Sequence, residues 1–380
     1  MILLILLYST IISYVIFILI LSHGFKKVSS FTATKVTHKN EFSIIIPFRN
    51  EEAHLPVLLE SLRHCSYPTT LYEVLLINDS SQDDSVTVIT SFIKKHQLQN
   101  IKIIDSIRIS TSPKKDAIQT AIGLAKHAWI VTTDADCSVP TLWLTTLDVF
   151  IQTNDTKFIA GPVTLPQHAS SFLNAFEHID TLSLMGATIG SYGIRHPFLC
   201  NGAHLVYDKT TFTELGGFDG NAHIASGDDH FILEKFNAAY PDQVHYLKSQ
   251  EAIITTTLHK DWGSFIRQRK RWASKATGYT DVFTKGIGLL VLLTNLAMMV
   301  GVVFAFAKAD SETFPLYIII LLIKVLVDGV LIAQSAQFFN KLKLLVWYPI
   351  CAICYPFIST YIAIASLKGG FIWKGRYFKR

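Results

Sequence analysis

The hydrophobic residues of this chain form long runs near its two ends, uncharged except for Lys324 and Asp328, and short runs between them. The long runs cover residues 2–21, 286–307, 315–336 and 344–366. A helix of about 20 apolar residues crosses a hydrocarbon core of about 30 Å. No basic segment precedes the first run and no small-residue cleavage site follows it, which indicates an anchor rather than a signal peptide. The pattern predicts a transmembrane anchor over 1–24 and about three spans over 286–368.

Between these ends, short β-branched runs alternate with helix-like stretches. The runs predicted as strands cover 43–47, 74–78, 101–104 and 129–133, and the helix-like stretches cover 51–64 and 83–96. Strands that alternate with helices predict a mostly parallel sheet with helices on both faces. We therefore predict an α/β, Rossmann-like domain over 40–258. Ligands of such domains bind beyond the carboxyl ends of the strands, so polar residues there are candidates for chemistry.

Basic residues near the first run and after the domain predict on which side of the membrane the domain lies. Lys26, Lys27 and Lys35 follow the first run, and the positive-inside rule then places the domain in the cytoplasm. Residues 259–285 hold seven Lys or Arg and two Asp, interleaved with large aromatic residues. This segment predicts an interfacial helix at the level of the membrane headgroups.

The basic tail over 369–380 conflicts with the predicted spans. Three spans after a cytoplasmic domain place this tail outside, whereas the positive-inside rule places it inside. Either a C-terminal segment is re-entrant or interfacial, or the tail breaks the rule. The segment 344–366 is the candidate for the exception because Pro349 and Pro356 interrupt it.

Five cysteines and a net charge of +5 narrow the class of protein only slightly. The cysteine spacing fits no disulfide framework or zinc site, so we expect reduced, structural cysteines. Aromatic residues accompany the basic ones, and this combination fits a membrane interface as well as it fits nucleic acid. We therefore predict membrane lipids as partners, and no nucleic acid.

Acidic residues follow two of the predicted strands. Asp79 stands just past the second and could accept hydrogen bonds from a base or ribose, with a helix N-cap as the alternative role. Asp134 and Asp136 follow the fourth, and a spacing of two in extended chain points both carboxylates to one side. Such a pair can hold Mg²⁺ or Mn²⁺, with diphosphate oxygens as further ligands. A metal there would stabilise the charge of a departing nucleoside diphosphate.

A second acidic pair, Asp228 and Asp229, stands in the segment S-G-D-D-H-F-I-L. A general base must reach the acceptor hydroxyl and have a suitable pKa, and we assign this role to Asp229. A helix start is the alternative interpretation, since acids complement the helix dipole there. The two interpretations are compatible.

The basic segment contains the motif Q-R-K-R-W, Gln268 to Trp272. Arg271 can pair with a phosphate through two hydrogen bonds, and Trp272 can pack against a sugar or acceptor. A basic patch on the membrane surface is the alternative for the whole motif. For Arg269 and Lys270 we expect that alternative to hold.

In this order, the motifs IIIPFRNEE, LLINDSSQDDS, TTDADC, GDDHFIL and QRKRW resemble the family-2 glycosyltransferases of the GT-A fold. The likeness is to their membrane-integrated branch, which includes hyaluronan, chitin and cellulose synthases and ceramide glucosyltransferase. It covers roughly residues 40–280 and the flanking spans. It implies an inverting, single-displacement transfer from a nucleoside-diphosphate sugar, with a UDP-sugar favoured, to a lipid or glycan acceptor.

The resemblance also implies roles for individual residues. Asp229 matches the catalytic base, Asp136 the likelier direct metal ligand and Asp134 its companion, while Lys115 is a rival of Lys114 in the alignment. The residues implied in nucleotide-sugar binding are Pro47, Arg49, Asn50, Glu51, Asp79, Lys114 and Asp134. The residues implied at the diphosphate and the acceptor are Cys200, Asn201, Gly202, Asp228, Gln268, Arg271 and Trp272.

Departures from the family pattern leave the substrate open. Many processive members have T-E-D where this chain has G-D-D, and Asn78 stands where an Asp is more usual. A single-transfer enzyme, a processive polysaccharide synthase and an inactive membrane scaffold are the three hypotheses. We expect an integral membrane protein with its catalytic domain in the cytoplasm, at the plasma membrane of a bacterium.

Overall fold

A mixed seven-stranded sheet stands at the centre of the fold. The structure is a computed structural model and describes residues 2–34, 37–167, 169, 171–307, 313–367 and 370–378. Lys35 and, in the predicted basic tail, 369 and 379–380 lie outside the described residues. The strands of the domain are β1 (Phe42–Phe48), β2 (Tyr72–Asn78), β3 (Ile101–Asp105), β4 (Trp129–Thr132), β5 (Phe158–Ala160), β6 (Val163–Thr164), β7 (Leu205–Asp208), β8 (Val244–Tyr246) and β9 (Ile254–Thr255).

Helices cover the sheet and extend beyond it. They are α1 (Ile2–Lys27), α2 (Leu55–Arg63), α3 (Ser85–His96), α4 (Pro113–Leu124), α5 (Trp143–Thr153), α6 (Phe172–Gly193), α7 (Lys209–Glu214), α8 (Asp228–Ala239), α9 (Trp262–Ser274), α10 (Val282–Ala307), α11 (Thr313–Phe338) and α12 (Tyr348–Leu367). The main sheet has the order β3-β2-β1-β4-β7-β5-β8, and β6 pairs with β9 in a separate small sheet. Strands β1 to β4 are parallel and β7 is antiparallel to its two neighbours. The predicted α/β fold with a mostly parallel sheet is confirmed.

Alternation along the strands produces two apolar layers, one on each face of the sheet. Ile44 and Ile46 of β1 pack in one cluster with the α2 leucines, of which Leu58 is fully buried. Ile45, between them, belongs to the other cluster, which contains Ile118 of α4. Successive side chains of a strand point to opposite faces, and helices on both faces explain why these runs carry almost no polar residues.

Four described helices are long and apolar enough to cross a membrane. These apolar segments cover Leu7–Lys27, Val282–Val302, Ile318–Phe338 and Leu342–Leu367. Their positions agree with the predicted runs at both ends of the chain. Pro356 lies inside α12 without breaking it, so the predicted break at this proline does not occur.

Close contact between α1 and α6 joins the first apolar helix to the domain. A Cβ atom on Gly193 would overlap the carbonyl oxygen of Gly24, and one on Gly190 would overlap that of Leu21. Small residues let two helix backbones approach in this way. The C-terminal half of α1, including Leu21 and Phe25, consequently belongs to the same apolar cluster as one face of the sheet.

Helix α9 carries the Q-R-K-R-W motif and begins with a capping box. The Asp261 side chain accepts from the Ser264 N–H, and the Ser264 side chain accepts from the Asp261 N–H. Arg269 is 8 % exposed, and its Nε donates to Asp180 of α6 at 2.7 Å. The expected role of Arg269 in a membrane-surface patch is therefore wrong, because a buried ion pair holds it against the domain.

The basic tail forms a hairpin, with strands β10 (Phe371–Trp373) and β11 (Arg376–Phe378). It lies against the domain, where Lys374 pairs with Glu51 at 2.5 Å. Just before α12, Lys341 Nζ donates to the carbonyl of Leu165 at 2.6 Å. Residues flanking both ends of α12 thus contact the same domain, which favours a re-entrant or interfacial α12 over a tail on the far side.

Candidate active site

The candidate site lies at the carboxyl edge of the sheet, where β1, β2 and β4 end side by side. Phe48 stands opposite Asn78, and Ile45 stands opposite Thr132. Because these strands are parallel, the residues that follow them meet at one edge. Pro47 is the second-last residue of β1. The following residues are 49–51 after β1, Asp79 after β2 and 134–136 after β4.

Arginine side chains cover Asp79. Arg108 Nη2 donates to its Oδ1 at 2.8 Å, and Arg376 Nη1 donates to its Oδ2 at 2.7 Å. Arg49 Nη1 donates to its main-chain carbonyl at 2.7 Å, and burial and the neighbouring Arg376 lower the pKa of Arg49. Asp79 is 4 % exposed, whereas the Arg108 and Arg376 side chains are 37 % and 27 % exposed. A ligand at this end of the site therefore meets the guanidinium groups before the carboxylate.

Glu51 lies between this arginine cluster and the D-A-D segment. Its carboxylate pairs with Lys374 Nζ at 2.5 Å and with His54 Nδ1 at 2.8 Å. Asn50, beside it, has a left-handed backbone (φ 52°). The Asn50 Oδ1 accepts from the main-chain N–H of Gln82 at 2.8 Å. Asn50 thus fixes the shape of the loop after β1, and Glu51 provides the negative charge that pairs with Lys374.

The two carboxylates of the D-A-D segment have different surroundings. Burial, then Asp134 and then Glu51 raise the pKa of Asp136. Asp134 forms an ion pair with Lys114, whose Nζ lies 2.7 Å from Asp134 Oδ1. The same ammonium stands 3.0 Å from Asp228 Oδ2. Lys114 therefore joins the first acidic pair to the second.

Lys115, the rival of Lys114, binds neutral oxygens rather than a carboxylate. Its Nζ donates to the main-chain and side-chain oxygens of Asn221 at 2.7 and 2.9 Å. It also lies 4.6 Å from the centre of the Phe231 ring. The geometry thus favours Lys114 as the basic residue of the site.

Asp228 and Asp229 open helix α8. Gly227 precedes them with φ +85°, a conformation that side chains rarely adopt. Asp229 Oδ1 accepts from the main-chain N–H of His230 at 2.7 Å and from Lys275 Nζ at 2.9 Å. Burial opposes ionisation of Asp229, but Lys275, the His230 N–H and Lys114 together outweigh it and hold the pKa of that carboxyl well below its ordinary value.

The segment 200–202 borders both acidic pairs. A Cβ atom on Gly202 would lie 3.2 Å from Asp228 Oδ2 and 3.3 Å from Lys114 Nζ, so a larger residue would crowd their ion pair. Burial and then the Asp229 charge raise the pKa of the Cys200 thiol, which is consistent with a reduced, structural cysteine. Asn201 Oδ1 accepts from the N–H of Ala203 at 3.0 Å and shapes the turn.

The Q-R-K-R-W motif is linked to the acidic pair of α8 through Lys275, the residue that follows its helix α9. Within the motif, Gln268 Oε1 accepts from Arg269 at 2.9 Å, and the Trp272 ring lies 4.2 Å from the Arg269 guanidinium carbon. Arg271 lies in the last turn of α9. Directly after α9, Lys275 makes the contact with Asp229. The roles of Gln268, Arg271 and Trp272 at a diphosphate or an acceptor stay predictions.

The structure thus brings the predicted acidic residues into one row of charged groups. It also adds four residues that sequence reasoning missed: Arg108, Lys275, Lys374 and Arg376. The tail and the basic segment were recognised as basic, but their charge was attributed to the membrane. Only the fold shows that these cations pair with buried carboxylates.

The D-A-D segment fits a divalent cation that is shared with a substrate. Across the described ranges, no group of three or more His, Cys, Asp or Glu side chains is placed to hold a metal ion. Mg²⁺ is commonly bound by one or two carboxylates together with substrate phosphates. Burial and then the negative charges of Asp134 and Glu51 raise the pKa of Asp136, and a cation would offset that crowding of charge. Asp136 and Asp134 are therefore the residues that would hold it.

This crowding predicts an effect on stability. We expect Asp136→Asn to raise the melting temperature of the metal-free protein by about 2–4 °C, the shift that about 1 kcal/mol produces. Asp136 has a raised pKa in the folded state, so its carboxylate costs stability above that pKa. The gain should therefore shrink as the pH falls through the raised pKa.

Thermal unfolding in the presence of a chelator measures this effect. Asp242→Asn, at an acidic side chain that is 84 % exposed, is the matched control and should bring no gain. Melting of metal-free Asp136→Asn below the parent would show that Asp136 is not electrostatically strained.

Comparison with known proteins identifies the class. The chain is 24% identical over 234 residues to a probable glycosyltransferase, YdaM, of Bacillus subtilis, covering 61% of this chain and 54% of that protein. It is 28% identical over 116 residues to a dolichyl-phosphate beta-glucosyltransferase of Drosophila melanogaster, covering 29% of this chain and 35% of that protein. The matches thus span about half or less of these relatives.

The fold has solved counterparts among glycosyltransferases. A mannosyltransferase of Pyrobaculum calidifontis, solved with GDP-Man and Mn²⁺, aligns over 92% of this chain and 95% of that chain, with a TM-score of 0.57 and 14% identity. This likeness shows the fold alone and confirms the predicted GT-A architecture.

A family profile covers almost the whole chain. The profile described as glycosyl transferase family 21 matches residues 5–379. The predicted glycosyltransferase class is confirmed, while the family-2 label is not. The chain belongs to glycosyl transferase family 21.

Proposed function

We propose that this glycosyltransferase moves a sugar, with inversion, from a nucleoside-diphosphate donor to a lipid or saccharide acceptor at the cytoplasmic membrane face. The observation that carries the proposal is the continuous row of charged groups from Asp79 to Asp229, at the edge of the sheet where α/β folds bind ligands. One end of the row is rich in arginine, and the other holds a carboxylate, Asp229, which its ion pair with Lys275 keeps in the ionised form that a base needs.

The arginine-rich end is suited to the nucleotide. Four cationic side chains surround two carboxylates there, which leaves positive charge in excess: Arg49, Arg108, Lys374 and Arg376 around Asp79 and Glu51. Guanidinium groups pair with phosphate and stack on flat rings. Because Asp79 is covered, we propose that it orients Arg108 and Arg376 toward the donor, a UDP-sugar by preference.

The middle of the row is suited to the diphosphate. When bound by Asp136 and Asp134, Mg²⁺ or Mn²⁺ would supply positive charge for the leaving group. Lys114 lies beside Asp134 and adds a fixed ammonium. This arrangement favours the charge that develops when the bond between the sugar and the diphosphate breaks.

Asp229 is suited to start the transfer. It would take the proton of the acceptor hydroxyl while that oxygen forms a bond to the anomeric carbon. The electron pair of the broken bond leaves with the diphosphate. One displacement from the face opposite the leaving group inverts the anomeric centre, and it needs a single base.

A membrane-bound acceptor fits the surroundings of the site. Helix α9 packs against α6 through the pair of Arg269 and Asp180, and α6 packs against α1, one of the apolar helices. Relatives with 28–29% identity over parts of the chain include a dolichyl-phosphate glucosyltransferase and a beta-monoglucosyldiacylglycerol synthase. Both names indicate lipid acceptors. Lys26, Lys27 and the basic hairpin lie next to the domain. By the positive-inside rule, these basic residues support a cytoplasmic location of the domain.

Product partition tests the proposal. Protein in bilayer nanodiscs containing extracted membrane lipids is incubated with radiolabelled UDP- and GDP-sugars, with Mn²⁺ or Mg²⁺. Label that enters the organic phase supports a single-transfer enzyme with a lipid acceptor. Label in high-molecular-mass material supports a processive synthase instead, and no transfer from any donor supports the inactive scaffold.

A charge reversal in the hairpin tests the donor end. We expect Arg376→Glu to weaken UDP-sugar binding by about tenfold, because it replaces a cation that faces the ligand by a second carboxylate beside Asp79. Titration calorimetry with UDP measures the dissociation constant. Lys102→Glu is the control, since Lys102 is an exposed cation on β3. Equal binding by both variants would exclude the hairpin from the donor site.

A further inference from the structure

We propose that Lys275 is a positioning residue that anchors one oxygen of the base Asp229 and thereby aims the other at the acceptor hydroxyl. The inference rests on the proposed function, in which Asp229 takes the acceptor proton. It concerns a residue outside the Q-R-K-R-W motif, in the short 3₁₀ turn Lys275–Gly278 that follows α9.

The two oxygens of Asp229 are held unequally. Oδ1 accepts from Lys275 Nζ at 2.9 Å and from the main-chain N–H of His230 at 2.7 Å. For Oδ2 the described part of the chain provides no hydrogen bond. A carboxylate fixed through one oxygen has a defined direction for the other, and that direction decides whether a bound hydroxyl can transfer its proton.

Burial makes this anchoring effective. The side chains of Lys275 and Asp229 are 12 % and 15 % exposed, so water competes poorly for their ion pair. The Lys275 stem packs over Gly227, where a Cβ atom would lie 3.3 Å from its Cδ. The ammonium is therefore fixed by packing as well as by charge.

The same contact sets the protonation state of the base. The titratable and charged groups that face Asp229 come from four elements: Lys114 and Lys115 on α4, Cys200 before β7, Asp228 on α8, and Lys275 and Tyr279 after α9. Burial raises the pKa of Asp229, and Lys275 is the nearest opposing charge. Without Lys275 the pKa of Asp229 should rise, so protonation of the base should begin at a higher pH than in the parent.

Lys275 also connects the base to the motif helix. It lies three residues after Trp272, in a turn that continues α9. This ion pair therefore links the base on α8 to the helix that carries the motif. A donor that contacts α9 would find the base already oriented.

The pH profile of sugar transfer tests the proposal. We expect the parent to keep a nearly flat kcat/KM from pH 5 to 8. Lys275→Met should lose about tenfold at pH 8 through misorientation, and progressively more as the pH falls and Asp229 takes up a proton. Lys275→Arg retains the charge and a donor and should restore the flat profile. Lys260→Met, an exposed neighbour in the basic segment, is the control that should match the parent.

Two outcomes would overturn the proposal. One is a Lys275→Met profile parallel to the parent profile, because loss of the ammonium beside Asp229 should make the activity of the variant depend on pH. The other is a Lys275→Met variant that has the same activity and the same pH profile as the parent. Melting curves of both variants establish that they are folded.

A mutant cycle separates this proposal from the proposed function. Melting temperatures are compared for the parent, Lys275→Met, Asp229→Asn and the double variant. Coupling is expected, since Lys275→Met alone leaves a buried carboxylate without its cation and Asp229→Asn should recover part of the loss. Additive effects would overturn the pairing. A parent without transfer activity would instead count against the proposed function.

Discussion

Replacing Asp229 by asparagine is expected to reduce sugar transfer by about 10³-fold, within the range of general-base contributions. The amide keeps the shape of the carboxylate but cannot take the acceptor proton. Donor binding should change little, because the arginine cluster and the D-A-D segment lie elsewhere along the row. The expected kinetic result is a large fall in kcat with a nearly unchanged KM for the donor.

Single-turnover transfer in nanodiscs measures this effect without product release. Asp242→Asn is a matched control, because Asp242 is an acidic side chain that is 84 % exposed and pairs only loosely, at 3.7 Å, with Arg195. An Asp229→Asn enzyme with activity within about threefold of the control would remove Asp229 from the role of base.

Replacing Asp136 by asparagine is expected to remove the metal dependence of donor binding and to lower transfer by about 10²-fold, since metal contacts supply several kcal/mol. Of the two D-A-D carboxylates, Asp134 pairs with Lys114, whereas Asp136 has no lysine ion pair within the described residues, so Asp136 is the one with charge to offer a cation. Unlike Asp229→Asn, this change should weaken donor binding as well as turnover.

Titration of UDP at increasing Mn²⁺ concentration distinguishes the two acids. The parent and Asp155→Asn, a change at an exposed acid after α5, should bind UDP more tightly as Mn²⁺ rises. Asp136→Asn should show little response. A response equal to that of the parent would place the metal elsewhere, or indicate a transfer that does not use one.

Local patterns were sufficient to predict the sheet. The runs 43–47 and 74–78 consist of β-branched and apolar residues because helices cover both faces of the sheet, and they appear as β1 and β2. The same logic placed Asp79, Asp134 and Asp136 at strand ends. Parallel strands bring such ends together, so topology alone predicted that these acids would meet.

Local patterns could not predict ion pairs between residues that lie far apart in the sequence. Arg376 is 297 residues from Asp79, and Lys275 is 46 residues from Asp229. No period or motif in one sequence links such positions, because an ion pair depends on how elements pack rather than on local spacing. The basic segments were therefore assigned to the membrane, and Arg269 was misassigned because its partner Asp180 lies on another helix.

The C-terminal topology shows a limit of a different kind. Hydropathy predicts apolar helices, but it does not distinguish a helix that crosses a bilayer from one that returns to the same side. Contacts of Lys341 and Lys374 with the domain favour a helix that returns to the same side. An α12 of that kind would bring the basic tail into agreement with the positive-inside rule.

The most direct test is an experimental structure of the protein in nanodiscs with UDP and Mn²⁺. The diphosphate and the metal are predicted to lie at Asp136 and Asp134, with the nucleoside toward Arg108 and Arg376 and with Asp229 facing the space beyond the last phosphate. A nucleotide bound away from these residues, or separated from Asp229 by packed protein, would contradict the account.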